Sequence, residues 1–440
     1  MHTFPDRLTI TLWDFSWYVR TGEGEPFADL DAAFAQAVER GYNTVRICAM
    51  PFLLFGSGLD TSALSLGPLG GDFGRRMRWY DVKAPTTIDA REHLLALFRA
   101  ARRHDCLVIV SSWEYQQSSA FAADPAWWDA LRAVPPAERP RRLAAAHADL
   151  LDLLVAEGLD DRVAFTEIHN EVQVGHLTEG LPADADAVVA LRPLLEEAID
   201  EFHRRHPGRR CTVNYARVPH DSMRGIPENV DVLAVHPYIY GVLGALIDEF
   251  GLRGPVAEFR QEAAAAHLLR PGAPTASEWT VPAEHRWRLD ATIVSAVEAY
   301  VHDWADPVAF DRWLYDHYGE HRIAMAEKLA FWFDVAGDWA AAHDVPVVLG
   351  EGWVGYTPLH GTFEEGPVGA EICRQAVSHA RRIGAWGTVV CSNAAPQHPM
   401  WSDVALQQEC NALFATAPAP RTSAVSSPEF PAREPAPRSA

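Results

Sequence analysis

The chain has 440 residues, 48% of them hydrophobic and 22% charged, which supplies ample apolar material for a large core and excludes a disordered or fibrous composition. Its 38 basic and 59 acidic residues leave a formal net charge of −21. That excess weighs against a nucleic-acid backbone or an anionic membrane surface as partner.

The N-terminus, Met1-His2-Thr3-Phe4-Pro5-Asp6-Arg7, has no basic region followed by an apolar one, and no stretch reaches the length of a membrane span. A cytoplasmic protein is expected. Leu8-Thr9-Ile10-Thr11-Leu12-Trp13 reads as a first strand. Leu30, Phe34, Ala37 and Val38 then recur at helical spacing before Gly41, and Thr44 to Ala49 reads as a second strand. Together these make one βαβ unit. A long loop with Gly56, Gly58, Gly67, Gly70, Gly71 and Gly74 follows, without a GxGxxG or Walker pattern, so phosphate binding is not expected there. A helix from about Thr87 to His104 leads into strand three, Leu107 to Ser112, which ends in Trp113-Glu114-Tyr115-Gln116.

Helical spacing from Leu143 to Ala156 precedes strand four, Val163 to Ile168. The next helix runs from an N-cap at Asp184 to His206, with Gly208 as its stop. Strand five is Cys211 to Tyr215, and strand six, Val232 to Val235, ends in His236-Pro237-Tyr238. Between strands six and seven lies a crossover helix near His321 to His343, preceded by an aromatic insertion from Gly241 to about Gly319. The insertion is too long for a structureless loop, so it is expected to cap the barrel mouth. Strand seven is Pro346 to Gly350, a helix spans Gly369 to Ile383, strand eight is Thr388 to Ser392, and a last helix covers Val404 to Phe414. Residues 416–440 turn to Pro, Ala, Ser and Arg and are expected to be disordered. Eight strands alternating with helices predict an α/β (β/α)8 TIM barrel over residues 1–415. The rival, a doubly wound sheet, would carry a glycine-rich turn after its first strand.

Strands four and seven both end in a carboxylate. Phe165-Thr166-Glu167-Ile168-His169-Asn170-Glu171 delivers Glu171, and Val347-Val348-Leu349-Gly350-Glu351-Gly352-Trp353 delivers Glu351. In a parallel barrel the C-terminal strand ends carry the chemistry, and two carboxyl groups on one rim are the equipment for cutting a glycosidic bond. Asn170-Glu171 and Glu351 resemble the acid/base and nucleophile of the clan A glycoside hydrolases, the cellulase-like (β/α)8 barrels. Arg46 on strand two and His236-Pro237-Tyr238 after strand six match that family's arginine and His-x-Tyr. The resemblance implies a retaining O-glycosyl hydrolase with Glu351 as nucleophile, Glu171 as acid/base and no cofactor.

The physical chemistry of these residue types agrees with such roles. Arg46 and the Tyr238 hydroxyl would hold Glu351 ionised, while a desolvated pocket with a second negative charge would keep Glu171 protonated. Asn170 could bond a sugar 2-hydroxyl. Fifteen tryptophans suit a carbohydrate cleft, and Trp13, Trp113, Trp353 and Trp401 are the candidates for a sugar-facing wall. No metal is expected, because His169-x-Glu171 has no HExxH, second histidine pair or cysteine ligands beside it. The GxSxG elbow of an esterase is also missing. The chain departs from the family at strand three, which often ends in histidine, and at strand eight, where Ser392-Asn393-Ala394 replaces a tryptophan. These departures imply a subsite unlike that of a standard cellulase, and the expected cytoplasmic location makes a small oligosaccharide or glycoside, rather than a polymer, the expected partner, with oligomeric state open. The alternatives are a sugar-binding barrel without turnover and, more weakly, a hydrolase of another bond using one glutamate as general base.

Overall fold

A computed structural model describes residues 4–69, 74, 76–78, 80–355 and 357–416. Gly70 and Gly71 of the glycine-rich loop and residues 417–440 of the expected disordered tail lie outside the described residues. The barrel strands are β1 (Leu8–Asp14), β2 (Thr44–Cys48), β3 (Leu107–Ser111), β4 (Val163–Glu167), β5, β6 (Leu233–Val235), β7 (Val347–Leu349) and β8 (Gly387–Val389). β5 comes in two pieces, Cys211–Thr212 and Asn214–Tyr215. Every pairing in the ring is parallel. Cys211 and Thr212 pair with β4, whereas Asn214 and Tyr215 pair with β6, so the ladder passes across Val213. Leu8 pairs with Gly387 to join β1 to β8. The sheet thus closes on itself, which rules out the doubly wound alternative.

Closure buries both faces of each strand, and the strands read as near-continuous apolar runs for that reason. The helices alternating with them are α1 (Leu30–Glu39), α2 (Ala90–Arg103), α3 (Arg139–Ala156), α4 (Ala187–Arg205), α5 (Pro307–His343), α6 (Pro367–Ile383) and α7 (Val404–Ala415). Asp186, not Asp184, caps α4: its carboxylate accepts from the backbone N–H groups of Val188 and Val189. The six cysteines are free and buried. Among the described residues, no helix is long and apolar enough to cross a membrane.

α5 begins at Pro307, capped by Asp306, well before the crossover helix read from the sequence. The irregular segment after β6 therefore spans residues 241–306 rather than reaching 319. It leaves the barrel at Gly241, whose φ of +55° and ψ of −115° favour glycine, and where a Cβ would also press on the Met325 side chain. Short helices at Val242–Phe250, Gln261–His267, Arg286–Asp290 and Ala296–Trp304 fold over the C-terminal rim. The segment is fastened on the far side. Arg288 donates to the carbonyls of Pro68 and Ala122, and the Asp303 carboxylate accepts from the N–H groups of Gly74 and Arg76.

Candidate active site

The C-terminal rim encloses a cavity of about 620 Å³ lined by Asn170, Glu171, Tyr238 and Glu351 from the strand ends. Glu167 ends β4, but its ladder continues in backbone bonds: Ile168 N–H donates to Thr212, Asn170 N–H to Ser112 and Val172 N–H to Asn214. The chain then turns at Glu171 with φ +46°, a left-handed conformation that is uncommon for a non-glycine residue and concentrates at functional sites. Asn214 holds the turn by accepting the Glu171 N–H on its side-chain oxygen. After β7, Gly350 leaves room for the His236 ring, because a Cβ there would lie 2.9 Å from Nε2.

Arg46 organises the floor. From β2 its fully buried guanidinium donates to Glu167 Oε2 at 2.8 Å through Nε, to Glu351 Oε1 at 2.8 Å, and to Asn170 Oδ1 at 2.6 Å. Burial alone would depress this guanidinium, but Glu167 and Glu351 outweigh it and hold it above its ordinary value. Glu351 also accepts from the Tyr238 hydroxyl at 2.7 Å through Oε2, and Ser392 Oγ lies 2.7 Å from the same hydroxyl.

The surroundings of Glu171 differ. His236 Nδ1 lies 3.0 Å from its Oε1, and Gln116 Nε2 donates to Oε2 at 3.3 Å. Burial pushes the Glu171 carboxyl up to about 7 against smaller opposing pulls from Gln116, Arg46 and Arg253. His236 is itself driven down to about 4 by burial and stands neutral. One polar atom from each of Glu171, His236 and Glu351 lies within 4.8 Å of the other two. Their crowding resembles a metal site, but the Glu351 oxygens already face Arg46 and Tyr238, and a guanidinium 2.8 Å away repels a cation.

The aromatic wall differs from expectation. Trp113 lines the cavity, with the Arg46 guanidinium 4.6 Å from its ring centre. Trp13 packs behind the strand on Phe27 and Phe34. Trp353 is buried against Phe333, its indole N–H donating to Val390. Trp401 stacks on Tyr42 and donates to Gln36 on α1. These three are packing residues outside the cavity. Neither Trp313 on α5, which meets Phe250, nor the insertion's tryptophans line it; Trp279 meets Tyr300. Its Arg253, Ile293, Val294, Ser295 and Glu298 do.

Sequence reasoning missed Gln116, Glu167, Asp14 and Ser392. Glu167 was within reach, because it shares a face with Phe165 on a strand whose inward positions are every second residue. Asp14 lines the cavity from the end of β1, and burial pushes its carboxyl up to about 7 against hydrogen bonds from Ser16 and Gln397 and the nearby charge of Arg20. Glu114, in the stretch where the family often has histidine, instead accepts from the N–H groups of Phe52 and Leu53 and from Trp127.

A family model described as sugar-binding cellulase-like matches residues 10–174, from β1 through Glu171. No curated protein matches the chain. Among solved structures, a protein of Parabacteroides distasonis described as a "putative glycoside hydrolase" superposes with a TM-score of 0.66 at 16% identity, covering 95% of this chain and 97% of that one. GH5_18 from Streptomyces cattleya, solved in complex with GlcNAc, gives a TM-score of 0.43 at 17% identity over 96% of this chain and 83% of that one. The endo-beta-1,4-mannanase of Thermotoga petrophila gives 0.45 at 12% identity over 94% and 78%. The resemblance to the cellulase-like barrels of clan A, read first from Asn170-Glu171 and Glu351, is thus met by the family model over the first four strands and by the fold over nearly the whole chain.

Proposed function

We propose that the protein is a retaining glycoside hydrolase that cleaves β-glycosidic bonds of small oligosaccharides or glycosides by double displacement. The observation that carries this reading is the close, asymmetric carboxyl pair: oxygens of Glu171 and Glu351 within 4.8 Å, only one carboxylate bonded to a guanidinium. A retaining pair stands about 5–5.5 Å apart, whereas an inverting pair needs roughly 6.5–9.5 Å to admit a water. Glu351, oriented by Arg46 and Tyr238, attacks the anomeric carbon. Glu171, protonated in its desolvated position, gives its proton to the leaving oxygen as the glycosidic C–O bond breaks. The resulting ester on Glu351 is then cleaved by water, whose proton passes to Glu171, and the carboxylate of Glu351 is regenerated. Asn170 has one amide hydrogen committed to Gln116 and keeps the other for the sugar 2-hydroxyl.

A second reading, a sugar-binding barrel without turnover, is favoured by the β8 end. Ser392 stands there, and Trp401 packs outside the cavity, so no β8 aromatic underlies the sugar. A screen of nitrophenyl glycosides separates the two. We expect turnover by the wild type with retention at the anomeric carbon, and none above background for Glu351→Gln at an unchanged unfolding midpoint. Inverted product would defeat the double displacement, undiminished activity of the variant would remove Glu351 from the role, and sugar binding without turnover would favour the second reading.

A further inference from the structure

Between β4 and β7 the rim can be followed two ways. The long arc passes β8, β1, β2 and β3, and its cavity-lining residues include Asp14, Trp113, Gln116 and Gln117 but, among the described residues, no lysine, arginine or histidine. The short arc passes β5 and β6. Here Arg217 follows β5, Arg253 comes from the insertion after β6 and Lys328 from α5, all lining the cavity, with Glu298 the one carboxylate among them.

Three features set this cluster apart. The chain carries a net charge of −21, so its overall field repels anions and gathering cations around one cavity runs against it. Several arginines elsewhere on the surface pair closely with carboxylates, among them Arg102 with Asp161, Arg103 with Asp31, Arg374 with Glu409 and Arg382 with Asp334. In the cavity, Arg253 donates to the Tyr240 hydroxyl at 2.9 Å, lies 4.7 Å over the same ring and reaches Glu298 at 3.9 Å. Lys328 Nζ is held 3.2 Å from the Ile239 carbonyl and 4.5 Å from the Trp332 ring centre, where burial and the neighbouring Arg217 charge push it below its ordinary value. Two like charges kept close beside a cavity are a ready site for an anion.

We propose that the substrate carries an anionic substituent, a carboxylate or a sulfate ester, held beside β5 and β6 by Arg217, Lys328 and Arg253. This deepens the glycosidase reading by naming its substrate class, and it concerns binding, so it is tested without turnover. The full chain bearing Glu351→Gln is titrated calorimetrically with a uronate-containing disaccharide, the same disaccharide with its carboxylate reduced to the alcohol, and a singly sulfated disaccharide. At least one acidic sugar should bind about tenfold or more tightly than the reduced one at low salt, with the gap narrowing as salt screens the charges. Adding Arg217→Ala and Lys328→Ala should abolish the preference while leaving the unfolding midpoint in place. A preference for uronate alone or sulfate alone identifies the substituent. Equal affinity of acidic and reduced sugars, no binding of either acidic sugar, or a preference that survives the double variant overturns the proposal. Failure of every glycoside to turn over would instead strike the hydrolase reading and leave this one standing.

Discussion

Arg46 satisfies Glu167, Asn170 and Glu351 with one guanidinium, and all four side chains are buried. Removing it strands two carboxylates without a counter-charge. Arg46→Leu should therefore destabilise the fold by about 3–5 kcal/mol, the usual scale for breaking a buried ion pair. Tyr238→Phe removes one hydroxyl and should cost about 0.5–1.5 kcal/mol. Denaturant unfolding of the two variants measures the contrast, and similar losses would mean that Arg46 is not the anchor.

Glu171 tests the same floor by titration. Its carboxyl is raised to about 7 by burial, and the proposed role as acid catalyst requires it to hold its proton. The protonated fraction is nearly complete well below 7 and falls as pH rises through it, so kcat/KM should decline on the alkaline side of about 7. Glu171→Ala should lose about 10²–10⁴-fold with poor leaving groups, lose less with good ones, and recover with azide. An unchanged alkaline limb in that variant would assign the limb to another group.

Among the elements, the strands were the most legible because parallel strands buried on both faces leave unbroken apolar runs. Caps were less so. Pro182-Ala183-Asp184-Ala185-Asp186-Ala187 offers two aspartates two residues apart, and only the geometry of the first turn decides between them. Asp186→Ala should cost about 1 kcal/mol and Asp184→Ala almost nothing, by thermal or denaturant unfolding; the reverse order would place the helix start differently. The true start of α5 had a readable signal in Asp306-Pro307, a capping side chain followed by proline at the first helical position.

Asn170, Glu171 and Glu351 were legible for a related reason: each stands just past a strand end, where position in the ring fixes what it faces. The aromatic wall was not. Along β1, Leu12 and Asp14 line the cavity while Trp13 between them turns toward α1, a matter of strand parity. Trp353 and Trp401 stand in irregular segments, where no period says which way a side chain points. Gln116 and Arg253 lie on rim loops with no periodic signal at all.

On the scale of the whole molecule, the barrel supplies a ring of strand ends and the segment 241–306 supplies the roof. Arg288 and Asp303 fasten that roof to the loops around Pro68, Gly74 and Ala122 across the mouth. A chain threaded through the site would have to pass beneath a bridge tied at both ends. Long polymers should therefore be trimmed from a terminus rather than severed in the middle. With a soluble polysaccharide of the proposed acidic class that the protein cleaves, reducing ends should accumulate while solution viscosity hardly falls, since the long molecules that set it lose only their tips. A steep early drop in viscosity would mean that the bridge lifts, and that interior bonds reach the glutamates.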